Sequence, residues 1–516
     1  MKRLARFLLW VLAVGALLVV ALRLVYPPPE AAPSASRALP PASTGPLATG
    51  ISNALRGRDG LTGILPVSNG LDAFTARLAL VRAATRSIDA RYYIWHRDMT
   101  GLVLMKALLD AANRGVKVRL LVDDNGTSGF DREFAAFAAH GNMEVRIFNP
   151  FMLRSPRLLN YAFDFFRLNR RMHNKSIIID GQATILGGRN VGDEYFAAGS
   201  GSLFVDLDVL AVGSAVEQDI ADFDSYWASA SAIPAESVID PAIASTTQFE
   251  QDAAEALKSR EFADYREALG KTDLVARIAA GQAAFRWATA RLFSDDPAKG
   301  QGRVKSDSLL MGRLFEAAGA PKASLSLVSP YFIPGTQGTA TFSRWAREGV
   351  RVQVLTNAME ATDVLPVHAG YAKYRPDLLA AGVGLYELKR QAVSRQDRNA
   401  LGLVGSSASS LHAKTFSIDG ERIFVGSFNF DPRSLLLNCE MGLLIDDSGL
   451  AGELDRVFGA QLLGSSYRVK ATPDGGLVWE TREGNTTTEI PSEPGSSALR
   501  SLALTVIGWL PIEWLL

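Results

Sequence analysis

An α/β protein built from two similar halves is what this sequence predicts, and three observations predict it. A β-α-β order of hydrophobic patterns occurs twice, in "SIDARYYIWHRDMTGLVLMKALLDAANRGVKVRLLVDDNG" and in "SLSLVSPYFIPGTQGTATFSRWAREGVRVQVLTN". The strand phrase "RGVKVRLLV" returns as "EGVRVQVLT". And "HNKSIIIDGQATILGGRN", His173 to Asn190, aligns without a gap on "HAKTFSIDGERIFVGSFN", His412 to Asn429. Self-similarity at long range is the signature of a duplicated structural unit. A strand, a crossover helix and a second strand favour a largely parallel sheet in each half. With 516 residues, 47% of them hydrophobic and 21% charged, the chain has enough apolar material for more than one core.

The elements follow in order. After Lys2, Arg3 and Arg6 comes the uncharged apolar run "FLLWVLAVGALLVVAL". Counted to Tyr26, a helix rising about 1.5 Å per residue would just span a hydrocarbon core of roughly 30 Å. Residues 1–26 are therefore expected to be an uncleaved transmembrane anchor. Basic residues ahead of the run predict a cytoplasmic N-terminus, with the body across a bacterial-type inner membrane on the periplasmic or outer side. The Pro- and Ala-rich residues 27–50 read as a stiff spacer. The first α/β domain is expected over 51–230 and the second over 301–470, with a charged helical connector at 231–300. Residues 471–516 read as a polar excursion ending in an apolar segment too short to span.

Balanced charge, 54 basic against 54 acidic residues, leaves no net positive field to gather nucleic acid. A lone cysteine, Cys439, excludes an internal disulfide and a Cys-rich zinc module, and reads as a small buried hydrophobe.

Two of the chain's five histidines occupy equivalent places in the repeat. Side chains alternate faces along a strand, so His173 and Lys175 share a face, as do His412 and Lys414, while Asp180 and Asp419 have the opposite parity. Histidine and lysine are thus assigned to chemistry, and aspartate to hydrogen bonds that hold the strand and the turn at Gly181 or Gly420. Asn190 and Asn429 follow a glycine turn, where an amide either binds a ligand oxygen or caps the turn. His96, His140 and His368 have no repeat partner and read as satisfied polar residues.

The paired H-x-K-x4-D motifs, each followed by G-[GS]-x-N, resemble the phospholipase D superfamily. "RYYIWHRDMTG", "LLVDDNG", "SPYFIPG" and "HAGYAKYRPDLLAAGVGLYEL" are similar to its cardiolipin synthase branch, in particular the type C members. The resemblance covers roughly residues 50 to 516. It implies two phospholipase D-like α/β sandwich halves with one active site at their interface, and no metal or cofactor. It further implies that one histidine, His173 by preference, attacks phosphorus to form a phosphohistidine while His412 serves as acid and base. Lys175 and Lys414, with Asn190, Asn429 and the Ser427 hydroxyl, would clamp the phosphoryl oxygens. Gly188 stands where the second motif has Ser427.

A nucleophilic imidazole needs a carboxylate on its other nitrogen. Glu440, in "LNCEMGLLI", and Asp208, in "VDLDVLAVG", are the candidates, with Asp206 competing in the first half. Between Pro150 and the first motif, Arg154, Arg157, Arg167, Arg170 and Arg171 alternate with apolar residues, the pattern of an interfacial helix or lid on anionic lipid. The expected partners are phospholipid substrates and an anionic membrane, with room for a small accessory protein and no nucleic acid. The expected function is a membrane-anchored phosphatidyltransferase forming cardiolipin from phosphatidylglycerol and a phospholipid donor. A phospholipase D-type hydrolase or nuclease running water through the same site is the alternative.

Overall fold

The computed structural model describes residues 2–27, 36–198, 203–390, 409–459 and 462–516. The expected spacer therefore falls partly outside the described residues, at 28–35.

Two large sheets carry the fold. The first runs, edge to edge, Arg286–Ala288, Thr62–Val67, Asp208–Gly213, Ala183–Gly187, Ser176–Ile179, Ser87–Ile94, Lys117–Gly126, Met143–Phe148 and Ala232–Pro234. The second runs Ala290–Ser294, Met441–Ile445, Arg422–Gly426, Thr415–Ile418, Ser324–Val328, Arg351–Asn357, Gly384–Leu388, Ser466–Ala471, Leu477–Glu483 and Thr486–Ile490. Within these two sheets only the described strands joined by crossover helices are parallel, such as Ser87–Ile94 with Lys117–Gly126 and Ser324–Val328 with Arg351–Asn357. The motif strand pairs antiparallel with both neighbours in each half. Each sheet is thus mixed rather than largely parallel. A three-residue turn follows each motif strand, and a chain that reverses so tightly can only pair antiparallel.

Burial explains why these strands lie centrally. Ile177 and Ile179 face one core and Ile178 another, so the continuous Ile run is apolar on both faces. A further apolar layer joins the halves: Leu186, Val205, Leu207 and Val209 pack in the same buried cluster as Leu411, Val425, Met441 and Leu443. That seam sets the two motif hairpins together.

Several boundaries differ from the sequence reading. The described part of the expected spacer lies along the body: Ala38 N donates to Asp224, and Ala42 N donates to the Asp180 carbonyl at 2.8 Å. Residues 46–55 form a helix whose Leu47 and Ile51 are buried. The connector helices, Thr247–Lys258, Ala263–Lys271 and Leu274–Ala279, pack on the first half. Its end supplies one edge strand to each sheet, Arg286–Ala288 and Ala290–Ser294. The polar excursion after Lys470 is a hairpin that extends the second sheet, docked by Trp479 Nε1 donating to Glu387 at 3.0 Å.

The N-terminal helix, Lys2–Val25, is long and apolar enough to cross a membrane, and the 18-residue apolar window within it is not buried in the body. Its end meets the first half where Tyr26 stacks on Phe163, ring centroids 6.1 Å apart.

Candidate active site

Each motif hairpin is made locally in the same way. Ile179 and Ala183 close the first turn, Ile418 and Arg422 the second. Their central residues all have positive φ: 54° at Asp180, 63° at Gly181, 57° at Asp419 and 64° at Gly420. Aspartate and glycine are the residues that tolerate this conformation, which gives D-G in both motifs its backbone reason. The aspartates then reach the next strand. Asp180 accepts from the backbone N–H groups of Thr85, Arg86 and Ser87 and from the Thr85 hydroxyl. Asp419 accepts from those of Lys322, Ala323 and Ser324, which hold its carboxyl below the usual range against the opposing effect of burial. Both side chains lie at a structural joint, away from the histidines.

The residue that follows the repeated strand phrase anchors the histidine segment in each half. Asp123 accepts from Met172 N at 2.8 Å and from the Arg171 guanidinium at 3.0 Å. Its counterpart Asn357 accepts from Leu411 N at 2.9 Å and donates to the Leu411 carbonyl. The residue immediately before each motif histidine is thereby fixed.

The halves then exchange carboxylates. His173 Nδ1 lies 2.7 Å from Glu440 Oε2, and His412 Nδ1 lies 2.5 Å from Asp206 Oδ2. Backbone clamps between the halves hold both crossings. His173 N donates to the Cys439 carbonyl, and Cys439 N to that of Arg171, each at 2.8 Å. On the other side, Ser409–Leu411 pairs in parallel with Leu203–Val205, and His412 N donates to the Val205 carbonyl. Each carboxylate directly follows the residue that its partner half clamps.

Asp208 is therefore not a histidine partner. It is buried against Arg77 at 2.9 Å and Arg189 at 3.3 Å, and Asp206 takes the role instead. Strand register explains the error. Asp208 pairs with Gly187 as Gly442 pairs with Gly426, so the counterpart of Glu440 lies two residues earlier, at Asp206. The loop between motif and carboxylate is five residues longer in the first half, 33 residues from His173 to Asp206 against 28 from His412 to Glu440, so distance from the motif does not single out Asp206.

Gly188 and Ser427 find their explanation in the same pair. The Ser427 hydroxyl donates to Glu440 Oε2 at 2.5 Å and accepts from Met441 N at 3.0 Å, so it braces the carboxylate rather than standing free for phosphate. In the first half a Cβ on residue 188 would lie 2.1 Å from Asp206 Oδ1. The shorter aspartate occupies the space of the serine side chain, and only glycine leaves room.

Lys175 Nζ donates to the His173 carbonyl at 2.6 Å, and Lys414 Nζ lies 3.0 Å from His412 Nδ1. Asn190 is committed, accepting from Ile94 N and donating to the Tyr195 hydroxyl at 3.0 Å, which is the turn-holding reading of that residue. Asn429 is buried and its Oδ1 has no partner among the described residues. Aromatic rings wall both histidines, Tyr93 against His173 and Tyr195 and Phe204 against His412. None of these rings was marked by motif spacing.

Burial dominates the electrostatics. It pushes the His173 imidazole down to about 4 against the upward pull of Glu440, and with the Lys414 charge it lowers His412. Burial also carries Lys175 well below the usual lysine range and Lys414 down to about 8. It works the other way on the carboxyls, yet the histidine and lysine charges hold Asp206 and Glu440 below their ordinary values. Lys175 feels Glu440, Lys414 and Asp206 together, so the two halves form one electrostatic unit.

The remaining histidines are satisfied as expected: His96 by Glu194, His140 by Asn113, and His368 by Glu493 and Arg375. His96, Asp98 and Glu194 could bring ligand atoms together for a cation, but Asp98 already accepts from Gly101 N and Asp193 N. The arginine-rich segment departs from its expectation. Arg154 and Arg157 pair with Asp124 and Asp131, Arg167 with Asp164 and Arg171 with Asp123, so these arginines turn inward while Leu158, Leu159, Phe165 and Phe166 are exposed.

Two histidines, each braced by a carboxylate from the opposite half and each beside a lysine, on a duplicated α/β frame, define a phosphodiester-transfer enzyme of the phospholipase D type. The comparisons sharpen the class. A family model described as "Cardiolipin synthase, PLD-like domain" matches residues 78–227 and 314–462. Cardiolipin synthase C of Escherichia coli (strain K12) is 44% identical over 464 residues, 89% of this chain and 97% of that protein. An uncharacterized protein of Helicobacter pylori (strain ATCC 700392 / 26695) is 33% identical over 75% of this chain and 76% of its own length. Among solved structures, phosphatidylserine synthase from Haemophilus influenzae Rd KW20 shares the fold, with TM-score 0.55 and 14% identity over 90% of this chain and all of that one. The chain belongs to the cardiolipin synthase family of phospholipase D-like proteins, which are phosphatidyltransferases.

Proposed function

We propose that this protein forms cardiolipin at a membrane by two successive phosphoryl substitutions on the paired histidines. The crossed histidine–carboxylate pairs within one buried site carry the reading. In the first step His173 Nε2 attacks phosphorus of a donor phospholipid, either phosphatidylglycerol or phosphatidylethanolamine. The P–O bond to the headgroup breaks, and His412 gives its proton to the departing oxygen. In the second step a phosphatidylglycerol hydroxyl attacks the phosphohistidine and returns a proton to His412, the P–N bond breaks and His173 is regenerated. An imidazole kept neutral down to about pH 4 suits His173 as nucleophile. The incoming phosphodiester anion beside Asp206 favours the protonated form of His412 that the acid role needs. Lys175, Lys414 and Asn429 would hold the nonbridging oxygens.

The basic residues in the first turns of the N-terminal helix, ahead of its apolar run, support a cytoplasmic N-terminus and a body on the outer face of the inner membrane. The test is incubation of the full-length protein in vesicles with labelled phosphatidylglycerol, with and without phosphatidylethanolamine. Labelled cardiolipin is expected; phosphatidic acid without cardiolipin would show hydrolysis and overturn the reading.

A further inference from the structure

The C-terminal helix, Ala498–Trp509, is largely bare: Leu504 and Ile507 are half-buried and its other described side chains are exposed. It packs on the helix Leu365–Ala372. Its outward residues are Leu499, Leu502, Val506 and Trp509, at a spacing of three and four that puts them in one stripe, with Leu499 78% and Trp509 80% exposed. No acidic residue occurs between Ala498 and Leu510, and Arg500 is exposed beside the stripe. A soluble surface rarely exposes so continuous an apolar strip without a partner.

Two further pieces gather at the end of the chain that follows this helix. The C-terminus is fastened to the short helix Pro432–Leu436 by Arg433, whose N donates to the Leu516 carbonyl and whose Nε donates to that of Leu515, both at 2.8 Å. The same guanidinium reaches the Asn169 carbonyl at 3.3 Å, at the end of the helix Asn160–Leu168. Leu435 and Leu436 on one helix and Leu158 and Phe166 at the other are exposed. Arg433 thus binds three apolar pieces into one rim. Asn429 and Asp431 lead into Pro432–Leu436, and Asn160–Leu168 leads to His173, so the rim borders the site. It also continues into the candidate anchor, because Phe163 of Asn160–Leu168 stacks on Tyr26.

We infer that this rim, with the C-terminal helix as its largest part, is a bilayer-docking surface that lies in the headgroup region and presents the site to lipid. The inference rests on the lipid-acting reading above and adds the surface by which lipid arrives. Its occupant is the bilayer rather than a second copy of the chain, because the rim runs on from the one helix among the described residues that is long enough to span a membrane. An amphipathic helix in the interface buries its apolar stripe at the acyl boundary while a neighbouring arginine stays among phosphates.

The test uses the full-length protein carrying Leu502→Cys, labelled with an environment-sensitive fluorophore; the native Cys439 is buried. In vesicles of phosphatidylglycerol and phosphatidylethanolamine, doxyl-labelled lipids should quench the probe several-fold more than the same probe at Lys271→Cys on an exposed connector helix. Equal quenching at both positions overturns the inference. So does emission that ignores doxyl lipid but shifts with protein density, which would mean that a second copy covers the face. Quenching is read without turnover, so a docked but inactive protein would sink the proposed activity alone, and an active protein unquenched at residue 502 would sink the surface alone.

Discussion

Replacing Glu440 by glutamine removes a charge while preserving shape. Glu440 Oε2 meets both His173 Nδ1 and the Ser427 hydroxyl, whereas Oε1 has no hydrogen-bond partner among the described residues. An amide with its oxygen at the Oε2 position keeps both hydrogen bonds and loses only the negative charge. In the proposed first step His173 becomes a cationic phosphohistidine. With charge centres about 4 Å apart and an effective dielectric of about 20, the lost attraction is ~4 kcal/mol. That corresponds to about a 10³-fold slower first step. The assay is a rapid burst with phosphatidyl-p-nitrophenol, whose leaving group departs without a proton. Glu440→Gln should slow the burst by that factor. Asp206→Asn, which acts on His412, should leave the burst near the wild-type rate and reduce turnover of natural lipid instead. A normal burst in Glu440→Gln together with a lost burst in Asp206→Asn would refute the assignment of nucleophile and acid.

Four further outcomes are expected. Asp180→Ala strands three backbone N–H donors and should cost about 3 kcal/mol or more of stability, read as a lowered thermal midpoint, with the activity of the remaining folded protein less affected than in a histidine variant. Gly188→Ser, although it copies the second motif, must displace Asp206 and should lower turnover with native lipid while sparing the activated-substrate burst. Stability should fall on acidification between about pH 6.5 and 4: in that window the unfolded chain protonates a histidine that the folded His173 keeps neutral, so the unfolded state binds the extra proton. Catalysis should also fall above about pH 8 as Lys414 loses its charge, seen in the alkaline limb of kcat/KM.

Much of this was legible in the chain because it is local. The H-x-K-x4-D spacing names the groups, and strand parity separates Asp180 and Asp419 from the chemistry. The Asp-Gly dipeptides carry positive φ that few other residues accept, and the duplicated strand phrase locates the residues that hold each histidine segment. An apolar run of membrane length is equally a property of sequence.

What sequence left open depended on contacts between distant segments. Asp206 and Asp208 differ by two residues, share parity, and are indistinguishable until the pairing of Asp208–Gly213 with Ala183–Gly187 sets the register. Whether a carboxylate serves its own half or the other is decided by the clamps from Cys439 to the His173 segment and from Val205 to His412, which exist only once the halves meet. The arginines of 154–171 looked lipid-facing because alternation cannot reveal that Asp123, Asp124 and Asp131 wait beneath them. Sequence by itself determined which groups perform the chemistry, since chemistry resides in side-chain identity. Tertiary structure alone decided which carboxylate holds which histidine, because that pairing is a distance between segments more than 200 residues apart.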